Sequence, residues 1–354
     1  MFWFVLISII VVLWLVARFV FAGPNLSAYD TPTGEQFSDH VDDKQANALF
    51  ISSIAKVNAD AKSTRSLKGA LGVARKFADD FSKDLESDCS FKSAVVEGIN
   101  CEWTLAPNVD PRRRVLFLHG GAFIFGTPKG HRIMSHQLSH IANAAVLSVD
   151  YRLMPENKRL AASDDAQKAY AWVLNNGPEG ELPIDFLLVA GDSAGGNLSL
   201  MLSSWSKTYA SRRPDAVIGF SPSLDTTLAS PTFKANHKTD PLLGLPLGKL
   251  AALPQTLSLW FGLISMRCKP NNPLISPLFG DLSDLPATLI HASSSEVLLG
   301  ESIRYTNLAA EAGSKVTLQI WKDQIHVWHL FNRTSGSGLE AWQQIEKFIA
   351  KLEN

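Results

Sequence analysis

The chain has 354 residues, of which 46% are hydrophobic and 19% charged, with a net charge of −1 at pH 7. That composition is ample for a core in one large or two modest domains, and near-neutrality gives no electrostatic case for binding nucleic acid or an acidic substrate. The three cysteines, Cys89, Cys101 and Cys268, lack any C-x-x-C spacing, which argues against both a disulfide framework and a zinc site.

Residues 1–22 open the chain with an apolar run. Phe2 to Ala22 is interrupted only by Ser8 and Arg18, and as a helix it would be about 31 Å long, enough to span a bilayer core. The expectation is an uncleaved, single-pass membrane anchor. The alternatives are a buried helix or a signal peptide cleaved after Val20-Phe21-Ala22, which would leave a secreted or periplasmic protein. The run has no basic n-region and is long for a signal peptide. Arg18 can snorkel to the interface and slightly biases the C-terminal side toward the cytoplasm. Asn25, Asn197 and Asn332 begin glycosylation sequons, and Asn197 falls on a helix expected to be inaccessible.

Residues 23–43, rich in Pro, Gly and acidic side chains, read as a linker. Residues 44–93 carry Ala and Leu at helical spacing and predict one or two helices. From 94 to 354, strand and helix patterns alternate. Strands are predicted at Val95–Thr104, Val115–His119, Ala145–Asp150, Phe186–Ala190, Ala216–Phe220, Ala287–His291 and Val316–Trp321. Helical stripes run along Ala162, Ala166, Ala169, Tyr170, Val173 and Leu174, and along Leu339, Trp342, Ile345, Phe348, Ile349 and Leu352. Such alternation implies a mostly parallel sheet with helices on both faces. Leu224 to Asn272 carries Pro231, Pro241, Pro246 and Pro254 and breaks the alternation. It reads as an excursion over one end of the sheet.

Two loops carry the chemistry. The run Phe186-Leu187-Leu188-Val189-Ala190 ends in Gly191-Asp192-Ser193-Ala194-Gly195-Gly196-Asn197. A glycine-flanked serine between a strand and a helix is the nucleophile-elbow pattern, and the small neighbours tolerate its strained backbone. Upstream, Arg113 to Leu118 ends in His119-Gly120-Gly121-Ala122-Phe123. Paired glycines let backbone N–H groups approach a ligand without side-chain obstruction.

HGGAF, Asp150-Tyr151-Arg152-Leu153-Met154-Pro155-Glu156 and GDSAGGNL together resemble the hormone-sensitive-lipase-like branch of the α/β-hydrolases. The likeness runs from about residue 94 to the C-terminus. It implies an α/β-hydrolase fold with a helical cap, residues 44–93 helping to form that cap, and serine esterase activity. By position, the resemblance assigns the oxyanion donors to Gly121 and Ala122, with Gly120 beside them, and to Ala194. The chain departs from the family pattern at Ala122, at Met154, at Asn157 to Leu160 and at Ser221 to Asp225, where a tryptophan is usual. These changes bear on pocket shape more than on chemistry.

A nucleophilic serine needs a base, and the base needs an orienting acid. In this fold the order along the chain is serine, acid, histidine. His326, after the last predicted strand, is the expected base, with His329 a competitor. Glu296, after Ala287–His291, is the expected acid, with Asp323 and Glu301 as rivals. Asp150 and Asp192 are assigned to local structure. His131, His136 and His140 would suggest a metal only if a carboxylate completed the set, and none does in sequence, so no metal is expected. There is no P-loop or dinucleotide fingerprint, and no cofactor is implied. The reading is a membrane-anchored serine carboxylesterase acting on an apolar small-molecule ester. A non-catalytic ligand-binding protein on the same scaffold and an amide deacetylase are the alternatives.

Overall fold

The structure, a computed structural model, describes residues 1–352. Nine strands form one mixed sheet among them: β1 (Glu35–Phe37), β2 (Ser90–Val96), β3 (Ile99–Leu105), β4 (Asp110–Leu118), β5 (Ala144–Val149), β6 (Phe186–Asp192), β7 (Ala216–Phe220), β8 (Ala287–Ser293) and β9 (Val316–Trp321). Their order across the sheet is β1-β9-β8-β7-β6-β4-β5-β3-β2. From β1 to β5 in that order, every neighbouring pair is parallel. β3 and β2 add on antiparallel.

The central strands carry apolar runs, Val115–Leu118, Phe186–Ala190 and Ala216–Phe220, because both of their faces are covered there. Leu116, Leu118, Leu187 and Val189 join one core layer with α5 (Arg159–Val173) and α6 (Ala194–Tyr209). Val115, Phe117, Leu188 and Ala190 face the other way, into a layer with α4 (Arg132–Ile141) and α10 (Gly336–Ala350). Between these lie α7 (Gly244–Ala251) and α8 (Gln255–Met266) in the predicted excursion, and α9 (Leu299–Glu311) after β8. The N-terminal third supplies α1 (Phe2–Val16), α2 (Asp43–Ser63) and α3 (Leu67–Asp79). In an open parallel sheet, functional groups gather beyond the carboxyl ends of the strands. The loops after β4, β6, β8 and β9 all emerge at that end.

Two local readings are corrected. The single strand expected over Val95–Thr104 is a hairpin, β2 and β3, with Val96 paired to Ile99. Glu97 and Gly98 turn the chain at φ of 48° and 83°, the conformation that two-residue hairpins require. Glu-Gly is a weaker turn signal than Asn-Gly, so the apolar run reads as continuous. The expected linker at 23–43 is also part of the fold. β1 extends the sheet along Gln319–Trp321, and the Phe37 ring stacks on Trp321 with centroids 4.2 Å apart. Asp30 takes both arms of the Arg304 guanidinium, at 2.6 and 3.1 Å. A three-residue strand has too little pattern to announce itself, and its pairing partner is far away in sequence.

Candidate active site

β6 runs directly into Ser193, whose φ of 52° and ψ of −110° lie outside the regions open to most residues. Such a conformation costs on the order of 1–3 kcal/mol and persists only where the surroundings enforce it. Here the Ser193 N–H donates to the Phe220 carbonyl at 2.8 Å, and α6 starts at the next residue. The flanking glycines are required by crowding. A Cβ on Gly191 would lie 2.5 Å from the Gly195 and Leu118 carbonyl oxygens, and one on Gly195 would run into Leu118.

His326 lies in the loop after β9, and its Nε2 is 2.9 Å from Ser193 Oγ. Its Nδ1 is 2.9 Å from Glu296 Oε1. The second Glu296 oxygen accepts the Ser293 N–H at 2.9 Å, so the carboxylate has one face committed to the backbone and one to the imidazole. A carboxylate acceptor fixes Nδ1 as the protonated nitrogen and leaves Nε2 to accept from the serine hydroxyl. Glu296 and His326 are 1% and 3% exposed. Burial disfavours the imidazolium, but the Glu296 hydrogen bond and charge, with the fields of Asp240 and Asp192, overcome it and raise the His326 pKa.

The loop after β4 faces this arrangement. Gly121, Ala122 and Phe123 have φ of 117°, 53° and 60°, a run of left-handed residues that turns successive N–H groups into one concavity. Two of the three are not glycine. Among the described residues no acceptor takes the N–H of Gly121 or Ala122. The Ala194 N–H opens α6, where a first-turn donor has no partner within its own helix. Gly120 departs from the donor set proposed from sequence, because its N–H donates to Asp192 Oδ1 at 2.8 Å. Its role is to anchor the loop against the elbow. Tyr151 adds a second anchor, donating its hydroxyl to the His119 carbonyl at 2.7 Å.

The competitors lie elsewhere. Asp323 Oδ1 accepts from Ser295 Oγ at 3.3 Å and does not reach His326. Glu301 sits on α9 and accepts the Leu224 N–H at 2.5 Å; burial and the neighbouring Asp225 raise its pKa well above the carboxylate range. His329 pairs with His291, Nε2 to Nδ1 at 2.9 Å, in the core beneath the site. His131 is separate from His136 and His140, with Nδ1 on the Thr127 carbonyl at 3.0 Å. All three cysteines are free and buried. Among the sequons, Asn197 is buried as expected and donates to the Ser223 and Ile275 carbonyls. Asn332 is buried as well, donating to Asn47 Oδ1, so it is no more accessible than Asn197.

Sequence reasoning passed over the residues that hold the acid. Asn236 donates its amide to the Ser294 and Glu296 carbonyls at 2.9 and 2.8 Å. Asp240 Oδ2 accepts the Val297 N–H at 3.0 Å. Both come from the Pro-rich excursion and lie some sixty residues from Glu296, with no motif to flag them.

Comparison with known proteins agrees with this fold. Residues 115–330 match the family described as alpha/beta hydrolase fold. An esterase of Acinetobacter venetianus is 32% identical over 68% of this chain and 75% of its own length. The chain belongs to the α/β-hydrolase family. Within it, the structure of an esterase from the bacterial hormone-sensitive lipase family superposes with a TM-score of 0.70 at 27% identity, covering 84% of this chain and 97% of that one. EstE5, whose crystal was soaked with p-nitrophenyl butyrate, superposes with a TM-score of 0.69 at 34% identity, covering 80% of this chain and 91% of that one.

In this α/β-hydrolase the atypical stretch Asn157 to Leu160 has a structural job. The Arg159 guanidinium lies 3.4 Å from the Phe123 ring centroid, and its Nη2 donates to Asn197 Oδ1 at 2.7 Å. It therefore ties the loop after β4 to the elbow helix. Burial lowers its pKa to about 9. From the N-terminal side, Arg75 on α3 donates to the Ile124 and Met154 carbonyls at 3.0 and 3.2 Å and grips Glu156 with both arms.

Proposed function

We propose that the chain is a serine carboxylesterase with Ser193 as nucleophile, His326 as general base and acid, and Glu296 as the orienting carboxylate. The observation that carries this reading is the continuous relay Ser193–His326–Glu296, with 2.9 Å at both links, starting from a strained serine. Ser193 Oγ attacks the ester carbonyl as His326 Nε2 takes its proton. The N–H groups of Gly121, Ala122 and Ala194 receive the developing oxyanion. Glu296 stabilises the imidazolium, which then protonates the leaving alcohol. Water, activated by the same histidine, hydrolyses the acyl-enzyme. The intact relay weighs against a purely binding role.

The test is hydrolysis of p-nitrophenyl butyrate, with fluorophosphonate labelling of the same preparation. Wild type should turn over the ester and label at Ser193. Ser193→Ala should lose both, with a rate loss on the order of 10⁶. Near-full activity in a folded Ser193→Ala protein would falsify the mechanism.

The apolar helix Phe2–Phe21 is read as a retained anchor. Its far end is built into the fold: Ala17, Phe21 and Ala22 are buried with Leu259 of α8, and the Phe21 ring meets Trp260 edge-on at 5.0 Å. Trp260 Nε1 donates to the Leu13 carbonyl at 3.2 Å, and Asn271 to that of Val20 at 3.0 Å. Cleavage after Ala22 would strip Phe21 from this packing, a loss of about 1.5–3 kcal/mol for one buried aromatic. Leu245, Leu253, Leu257, Phe261 and Ile264 on or beside α7 and α8 are exposed and extend the apolar surface from the helix. That surface would rest on the bilayer and let an apolar ester pass from lipid to the site. Residues 44–93 are assigned to the cap through the Arg75 contacts. Intact-mass analysis of the native protein tests the anchor: residues 1–22 should be present, and a mature N-terminus at Gly23 would overturn it.

A further inference from the structure

On the far side of the domain, two separate pieces of chain converge on a donor cluster that the sequence does not announce. His136 and His140 lie one turn apart on α4, and Asp88 and Cys89 close the connector between α3 and β2. One ligand atom from each of the four lies within 4.8 Å of all the others. Cys89 Sγ is 3.3 Å from His136 Nδ1 and 3.7 Å from His140 Nε2. Asp88 Oδ1 is 2.9 Å from His140 Nε2, and 4.0 Å from both His136 Nδ1 and Cys89 Sγ.

These separations match a tetrahedral metal site. Bonds of about 2.3 Å to sulfur and about 2.0–2.2 Å to nitrogen and oxygen place neighbouring ligand atoms about 3.3–3.6 Å apart. The observed pairs, from 2.9 Å up to as much as 4.8 Å, bracket that range, and the widest must close by about an ångström or more for one ion to bond all four. The charges also suit a divalent cation. One thiolate and one carboxylate balance Zn²⁺, while two neutral imidazoles complete the shell. Mixed nitrogen, sulfur and oxygen donors in a tetrahedron select zinc over magnesium or calcium, which take oxygen.

We propose that Asp88, Cys89, His136 and His140 form a structural zinc site that clamps the connector after α3 onto α4. The carboxylate missing from the histidine pattern in sequence is supplied by Asp88, about fifty residues earlier. Four protein ligands leave no open position, which marks the site as structural. Binding sends the Cys89 thiol proton to solvent. Three features oppose the ion and must yield: Ser87 Oγ now bonds His136 Nδ1 at 2.9 Å, the positive field of Arg333 reaches His136, and burial disfavours the Cys89 thiolate. The cluster is reachable, since the Asp88 and His140 side chains are 57% and 39% exposed. None of the four residues belongs to the Ser193 relay, so this site stands or falls independently of the proposed esterase activity.

The test uses the full chain in detergent, stripped of metal by a chelator and titrated with ZnCl₂ against a chromophoric chelator. A parallel titration uses Co²⁺ as a spectroscopic probe. One zinc per chain should bind, and cobalt should give the intense visible bands of a tetrahedral site together with thiolate-to-cobalt charge transfer. Asp88→Asn and His140→Ala should each weaken zinc binding by about 100-fold or more, beyond the usual effect of a residue that only supports a ligand. Cys89→Ser should abolish the charge-transfer band. Zinc should raise the thermal midpoint of wild type but not of the His136→Ala/His140→Ala variant. Ester hydrolysis by wild type should be unchanged by zinc. Weak, non-stoichiometric zinc binding by wild type, or cobalt binding without the thiolate band, overturns the proposal without recourse to any variant. So does zinc binding of undiminished affinity in Asp88→Asn and His140→Ala.

Discussion

Only Val327 and Trp328 separate His326 from His329, and both histidines are buried, yet their environments drive them in opposite directions. At the tip of the sheet, His326 faces the Glu296 carboxylate and its pKa is raised. One layer deeper, His329 faces His291 and is held well below the ordinary value by burial and by its partner; burial lowers His291 to about 3. Both of the deeper imidazoles are therefore neutral. The contrast shows that burial alone makes a histidine a worse base and a poor carrier of charge. What would equip His326 for the proposed proton transfer is a carboxylate placed at hydrogen-bond distance, held by the Ser293 N–H and by the Asn236 and Asp240 contacts to its loop.

The sharpest way to break this comparison is to remove the charge from Glu296 and keep its shape. Glu296→Gln should lower kcat by about 10⁴, equivalent to about 5.4 kcal/mol, as the corresponding acid-to-amide change does in a serine protease. Stopped-flow or steady-state turnover of p-nitrophenyl butyrate, with circular dichroism to confirm folding, measures it. Asp323→Asn in the same assay should change kcat by no more than about threefold, because Asp323 bonds Ser295 rather than the histidine. A larger loss there would move the acid to Asp323.

The deeper layer should answer to stability and not to turnover. His329→Gln leaves His291 without its partner, which should cost about 1–3 kcal/mol in urea unfolding with kcat within a few-fold of wild type. The sign of the pH effect follows from the shifts. A histidine held low in the folded state binds its proton more readily when unfolded, so its contribution is present above about pH 6.5 and is lost as pH falls below that value. His326, raised, acts the other way: its contribution is full below about pH 6.5 and fades as pH rises through the folded-state value. Below about pH 6.5 the His326 contribution is constant, so His291 and His329, with the similarly lowered His119, make wild-type stability fall toward acid, and His329→Gln should flatten that slope.

The smallest effect is a shift along the pH axis. Since His326 must be neutral to act as base, the acid limb of kcat/KM should have its midpoint above pH 6.5. In Glu296→Gln the residual activity should show that limb displaced to lower pH, because burial is then less opposed. A limb that stays in place would mean that the titrating group is not His326.

Much of this molecule was legible in one dimension because certain constraints are local. The strand-to-helix turn at Ser193 needs small residues at 191 and 195, and the chain shows them as a motif. Strands covered on both faces must be apolar throughout, and α5 and α10 must repeat with the helical period, so alternation of sheet and helix could be read from pattern alone. Even the order of serine, acid and histidine follows from where strands end in this fold. Other features depend on pieces of chain that meet only after folding. β1 is three residues long and is defined by its register on Gln319–Trp321. Gly120 reads as an oxyanion donor until Asp192 is seen to take its N–H. Asn236 and Asp240 look like ordinary polar residues of a Pro-rich loop until Glu296 packs beside them. Asp88 and Cys89 stand some fifty residues from the two histidines they join, and no local pattern links them. Sequence determined the elements and the glycine-flanked serine turn, because those follow from period, turn chemistry and composition. The tertiary structure decided which polar groups meet, because hydrogen bonds and charge pairs act over a few ångströms and disregard separation along the chain.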